Sequence, residues 1–301
     1  MISFKCKNCA GEMSVDRQGM LFCEYCGSKE VFTDKDLQQY REFRFQMLNY
    51  LRGLNDQKKD GAGELDRLWH TADMVQYKSA DGTDINISYI YASDVKEATC
   101  YVARRSVIYV FTKEQARNAR LLERGLSMVS FPAADMKGLD RSFPSVSGKY
   151  EVENGGVMLI LSRRENVFPL GMFGALEPEH AAWIVSRLEN ICCVLEYSGI
   201  VHGGISQESV FIDPFLHEAV LYGGWWNATE KTNAPLVNPD LAAVRKTAGY
   251  IMGIHRDKMP KEFAAFISEL PGRDAYTDFE HWDRVIEKGF GGRRFVKMDM
   301  E

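Results

Sequence analysis

The sequence predicts an α+β chain built in two parts, a small metal-bound module at the N-terminus and a larger domain that runs from strands to helices. Three observations carry this. Two Cys-x-x-Cys pairs fall within the first 26 residues, β-branched and aromatic runs separated by short polar turns dominate from about residue 72 to 162, and long segments with helical apolar spacing follow from residue 178. Strands in one stretch and helices in the next are the order of an α+β architecture. At 301 residues, 45% hydrophobic and 26% charged, the chain is long enough for about two domains with a real core.

The first part reads CKNCAGEM and then CEYCGSKE, so Cys6, Cys9, Cys23 and Cys26 form two pairs with 13 residues between them. Two thiolates three apart converge on one ion when the backbone turns tightly, and Gly11 and Gly27 allow that turn. Four thiolates close the coordination shell, so the expected metal is a structural Zn2+; iron in a rubredoxin-like site is the alternative. Between the pairs, EMSVDRQGMLF alternates about a Gly-containing turn, as a hairpin does. Residues 1–32 resemble a zinc ribbon. About 30 residues cannot build an adequate core unaided, so the metal first serves folding. Lys5, Lys7, Arg17 and Lys29 are matched by Glu12, Asp16, Glu24 and Glu30, which favours a folding or protein-binding module over a phosphate-binding one.

A helical connector is expected over residues 33–60. After Thr33 or Asp34 as N-cap, Leu37, Tyr40, Phe43, Met47, Tyr50 or Leu51, and Leu54 recur at three- and four-residue spacing, and NDQKKDGAG reads as a linker. The aromatic stripe suits core packing; a partner groove is the alternative. The remainder, 61–301, is one larger domain. INISYIYAS, ATCYVARR and SVIYVF read as strands, KEQARNARLLERG as a helix, and SFPSVSGKYEV and GGVMLILS as two further strands, the last central because it is continuously apolar. PEHAAWIVSRLENICCVLEYSG sets Ala181, Ile184, Leu188, Ile191 and Leu195 on one stripe, with Gly199 closing the helix. Cys192 and Cys193 point about 100° apart on that helix and, with Cys100, read as core.

After this helix comes GIVHGGISQESVFID, then a turn at PFLHE and the strand AVLYGG. This order resembles the protein-kinase family, and the resemblance covers about residues 72 to 300. It implies a two-lobed fold, with a small lobe of about 72–170 and a large lobe of about 171–301. It also implies which residues stand at the family's functional positions. His202 keeps the histidine of the catalytic loop, Gly203 and Gly204 replace its arginine and catalytic aspartate, Ser206 the phosphate-facing lysine, and Ser209 the metal-binding asparagine. Gly223, Gly224 and Trp225 fall where Asp-Phe-Gly would stand. SDVKEATCY takes the place of the Gly-rich loop without a glycine, and Val110 that of the nucleotide lysine. Glu123 corresponds to the helix glutamate. Asp240, opening DLAAVRKTAGYIMG, keeps the aspartate that braces the catalytic loop.

Phosphoryl transfer needs metal ions held by side-chain oxygens, a cation on the phosphates and a carboxylate that orients the hydroxyl. Here those positions are Gly, Ser or Val, so no catalytic residue and no bound nucleotide are expected. Between Gly204 and Trp226 the acidic residues are Glu208, Asp213 and Glu218, with Asp213 read as a turn residue. Fourteen residues separate Trp225 from Asp240, and about 47 follow the central helix, with PKEFAAFISEL and DFEHWDRVIEKGF as the last helices. A peptide-substrate platform does not fit. His202 reads as a packed histidine, and Trp225 with Trp226 as either a plug of the nucleotide pocket or an exposed platform.

The expected function is an inactive kinase-like scaffold that recognises an unidentified protein partner. The alternatives are an atypical phosphotransferase or nucleotidyl transferase using displaced acids such as Glu208 or Asp213, and a ribbon-led nucleic-acid binder. A formal charge of −5 argues against an extensive nucleic-acid surface. The chain contains no run of 18 apolar residues, and MISFKCKNC lacks the pattern of a secretory signal, so a cytoplasmic protein without a membrane partner is expected.

Overall fold

The computed structural model describes residues 34–55, 66, 68–70, 72–131, 138–232, 236–294 and 296–298, together with four short N-terminal strands. Those strands, β1 (Phe4–Lys5), β2 (Glu12–Val15), β3 (Leu21–Cys23) and β4 (Lys29–Glu30), pair in that order. β2 and β3 are antiparallel with Met13 opposite Cys23 and Val15 opposite Leu21, the hairpin that the alternation between the cysteine pairs predicts. Cys6, Cys9 and Cys26 lie outside the described residues, and Cys23 is described only as strand backbone; the Zn2+ ligand set therefore falls outside them too.

The chain divides into two units: Met1–Ala116 with Ser147–Arg164 and Met300–Glu301, and Arg117–Val146 with Glu165–Asp299. In the first, α1 (Asp34–Asn55) buries Phe43, Met47, Tyr50 and Leu51, which lie on the stripe that its sequence spacing marks as apolar, and Leu48 beside them. Phe43 stacks on Tyr91 with ring centroids 5.4 Å apart, so the connector is part of this unit's core. The linker expected after it lies outside the described residues.

Next come β5 (Asp73–Lys78), β6 (Asp84–Tyr89), β7 (Tyr91–Val95), β8 (Ala98–Val102), β9 (Ser106–Phe111), β10 (Val146–Val152) and β11 (Gly156–Ser162). The last five form one sheet in the order β10-β11-β9-β8-β7. GGVMLILS is a central strand, as its continuous apolar run requires. The segment INISYIYAS is two strands rather than one: the chain leaves its pairing with β5 at Tyr89 and resumes with Tyr91 opposite Val102. The β5–β6 hairpin supplies Val75, Tyr77, Ile85, Ile87 and Tyr89 to a cluster with Tyr101, Ile108, Val110 and Met158. The Tyr77 and Tyr101 hydroxyls meet at 2.7 Å.

The second unit holds α2 (Ala116–Ser127), which the sequence order had assigned to the small lobe; all but its first residue group with the helical part of the chain. The division falls at Arg164, a few residues before the border expected near 170. β12 (Phe168–Pro169) precedes α3 (Pro178–Tyr197), whose apolar stripe is at most 1% exposed at Ala181, Ile184, Leu188, Ile191 and Leu195. Then follow β13 (Ile200–Val201), β14 (Val210–Asp213), β15 (Glu218–Leu221) and β16 (Thr229–Glu230). The unit closes with α4 (Pro239–Met252), α5 (Lys261–Ser268) and α6 (Ala275–Phe290). α6 docks through Trp282, whose indole N–H donates to Ser186 Oγ on α3 at 2.8 Å and whose ring meets Phe263 on α5 at 5.1 Å. No described helix is long and apolar enough to cross a membrane.

Candidate functional site

The loop that the sequence resemblance assigns to the catalytic position joins β13 to β14 within the second unit, and α4 braces it. Pro239 starts the helix with the φ that a first turn requires, and the Asn238 side chain accepts from the Asp240 N–H at 2.9 Å. Asp240 then points its carboxylate at the loop, accepting from the N–H of His202 at 2.7 Å and of Gly203 at 2.8 Å. Burial pushes the Asp240 carboxyl above its ordinary range, opposed by those two N–H groups and the charge of Lys231. Lys231 is held by Glu196 at 2.5 Å.

His202 is 0% exposed. Its Nδ1 accepts from the Gly204 N–H at 3.1 Å, so the neutral ring carries its proton on Nε2. The ring stands edge to face with Trp225, centroids 4.6 Å apart. Burial drives its pKa down to about 3, against the opposing effect of the Gly223 backbone. So weak a base, sealed in the core, is poorly suited to accept a proton from a substrate at neutral pH.

Gly204 faces Gly224 with almost nothing between them, while Gly203 lies beside Asn227. A Cβ at Gly204 would sit 3.0 Å from the Gly224 Cα, 3.1 Å from Asn227 Nδ2 and 3.2 Å from the Gly224 carbonyl oxygen. A Cβ at Gly224 would sit 2.7 Å from His202 Cε1 and 2.8 Å from the Gly204 carbonyl oxygen, and Gly224 has φ +83, a region that favours glycine. Gly223 donates its N–H to the Ser209 carbonyl at 3.1 Å. At the position to which the sequence resemblance assigns a catalytic aspartate, the chain's own backbone packs on itself. Asn227 was not among the candidates from sequence; the two Gly-Gly pairs flanking β14 and β15 were the available sign of this close approach.

The tryptophan pair divides. Trp225 is 0% exposed, its indole N–H donating to the Leu221 carbonyl at 2.7 Å and its ring 5.9 Å from that of Phe143. Gly125 of α2 lets that helix approach, since a Cβ there would lie 2.7 Å from the Trp225 carbonyl oxygen. Trp225 is therefore a core ring of this unit and no exposed platform; Trp226 is half-buried.

Ser206 and Ser209 brace each other. The Ser206 N–H donates to Ser209 Oγ at 2.8 Å, the Ser209 hydroxyl donates to the Ser206 carbonyl at 3.1 Å, and Ser206 Oγ accepts from the Glu208 N–H at 3.2 Å. Both hydroxyls thus shape the turn. Asp213 accepts from the N–H groups of Phe215 at 2.9 Å and Leu216 at 3.0 Å, the turn role its position suggests. Glu208 accepts from the Gln207 amide at 2.9 Å. Glu123 is half-buried on α2.

In the first unit, Val110 is 7% exposed and lies in the cluster beneath the β5–β6 hairpin. Its neighbours Tyr109 and Phe111, on the other face of the strand, are 2% and 0% exposed. None of the six residues of β9 carries a positive charge. Among the described residues, no group of three or more His, Cys, Asp or Glu is placed to hold a metal ion.

No family model and no curated protein matches the chain. Solved structures do. Vaccinia related kinase 3 aligns over 75% of this chain and 95% of its own at 10% identity and a TM-score of 0.51. WbdD aligns over 67% of this chain at 13% identity and a TM-score of 0.47, and the Toxoplasma gondii specific rhoptry antigen kinase domain over 82% of this chain and 97% of its own at 8% and 0.47. The chain spans about half the length of WbdD, 47%. The likeness to vaccinia related kinase 3 is one of architecture, and it leads to one conclusion: the chain contains a protein-kinase-like fold.

Proposed function

We propose that the chain is a catalytically inactive kinase-like scaffold that recognises another protein. The observation that carries this reading is the packing of Gly204 on Gly224, 3.0 Å from a would-be Cβ to the opposing Cα. A phosphoryl-transfer site needs a carboxylate at that point and room for the hydroxyl it orients, and neither is compatible with backbone on backbone. The hydroxyls of Ser206 and Ser209 and the carboxylate of Asp213 already have partners within the loop and turn. This also weakens the alternative of a transferase that uses displaced acids. Incubation of the whole chain with Mg2+ and γ-labelled ATP is expected to leave label on neither the protein nor added acceptor proteins. Transfer of phosphate or of a nucleotidyl group above the uncatalysed background contradicts the reading.

The same reading gives the N-terminal module a structural Zn2+ on Cys6, Cys9, Cys23 and Cys26. Its support is the donor set, two Cys-x-x-Cys pairs joined by an antiparallel hairpin. Metal analysis of purified protein is expected to find one zinc per chain, and Cys9→Ser with Cys26→Ser to abolish it. Iron in place of zinc, or no loss on substitution, contradicts the assignment. The partner protein then engages either the module or the kinase-like part.

A further inference from the structure

α2 carries a one-sided positive charge that its own stability does not call for. Arg117, Arg120 and Arg124 recur at three- and four-residue spacing, which sets them within about 60° of one another around the helix. All three are exposed. The opposite side is fixed, with Ala119 and Leu122 0% exposed and Gly125 against Trp225, so the arginine face is presented rigidly. Neighbouring like charges at this spacing repel, the one acid of the helix, Glu123, is half-buried, and the first turn, where the helix dipole favours anions, holds no acidic residue. The side chains of Arg117 and Arg120 make no hydrogen bond or ion pair among the described residues, and Arg124 meets Glu230 at 2.8 Å in a pair exposed on both sides. Such a pair contributes little and exchanges readily.

A row of cations held against local preference, on a chain of formal charge −5, is complementary to a short acidic segment. It suits a long polyanion poorly, because the rest of the surface repels one. From Arg117 to Arg124 the helix rises roughly 10.5 Å, about the length of three residues of an extended chain. We propose that the Arg117, Arg120 and Arg124 face of α2 is a docking surface for an acidic segment of a partner protein. This rests on the scaffold reading and gives its partner a chemistry.

The test is a fluorescence-anisotropy titration of the full chain with a short labelled oligoglutamate at low and high salt. Binding is expected at low salt and to weaken as salt rises. Arg117→Glu with Arg120→Glu is expected to weaken it roughly tenfold or more, while Arg117→Lys with Arg120→Lys keeps most of it. The charge-reversed chain is also expected to melt at the same temperature or higher, because glutamates suit the start of a helix. Absence of binding by the natural chain, equal binding by the charge-reversed one, or tighter binding of single-stranded DNA or anionic vesicles through the same arginines overturns the proposal. Phosphate transfer from ATP contradicts the scaffold reading and leaves this titration unchanged; equal capture of one protein by both chains removes this surface and leaves the scaffold.

Discussion

Asp278→Ala destabilises the second unit by about 3–5 kcal/mol, the cost of leaving a buried cation without its partner. Arg245 and Asp278 have side chains only 4% and 5% exposed. Their contact is bidentate, both nitrogen–oxygen distances being 2.8 Å. The guanidinium also donates to the Phe266 carbonyl at 3.0 Å and lies 4.0 Å from the centre of the Phe266 ring. It therefore ties α4 to α5 and α6 at once. The neighbouring Glu189 is 0% exposed, and burial first, then the charge of Asp278, push its carboxyl well above the usual range, with Arg245 pulling the other way. Removing Asp278 takes away one of the charges that keep Glu189 neutral, so Glu189 ionises in part and offsets a fraction of that cost. The combination of Asp278→Ala with Glu189→Gln is accordingly expected to lose more than the sum of the two single changes. Guanidinium unfolding of the four proteins measures this; a loss below about 1 kcal/mol for Asp278→Ala contradicts the account of the pair.

Gly224→Ala is expected to cost roughly 2–4 kcal/mol, from the left-handed backbone that a Cβ disfavours and from overpacking against His202. Gly82 provides the control. Its φ of +87 is close to the +83 of Gly224, but a Cβ there meets nothing within 4 Å. Gly82→Ala therefore reports the backbone part alone, about 1–2 kcal/mol. The difference between the two variants, read from denaturant midpoints, isolates the contact between the loop and the turn after β15. Equal losses would mean that the contact is not tight.

Much of the fold is legible because periodicity reports burial directly. The α3 stripe from Ala181 to Leu195 and the unbroken apolar run of β11 needed only spacing, and the order of elements around His202 then led to the kinase-like architecture. The β5 strand escaped notice because Met74, Gln76 and Lys78 face outward, leaving Val75 and Tyr77 as a two-residue alternation too short to read. The break at Ile90 had no Gly or Pro to mark it. Tertiary pairing, not local preference, sets that bend.

The candidate site divides in the same way. Asp213 was legible because a carboxylate at a turn has few roles, and Asp240 because the resemblance assigns its position to a brace on the loop. The significance of Gly204 was not. From sequence it is a missing aspartate, whereas in the structure it is a close contact between two backbones brought together by β14 and β15, about twenty residues apart. Trp225 illustrates the same limit: sequence placed an aromatic at a cleft motif, and contacts with His202 and Phe143 made it core.

The most direct test is calorimetric titration of the full chain with ATP and Mg2+, beside the Gly204→Asp variant that restores the family's residue. The proposed scaffold reading predicts no heat of binding up to millimolar nucleotide for either protein, and the packing predicts a lower unfolding midpoint for the variant because a side chain at Gly204 has no space. Micromolar, magnesium-dependent ATP binding by the natural chain, or phosphate transfer by the variant, would contradict the proposed scaffold reading.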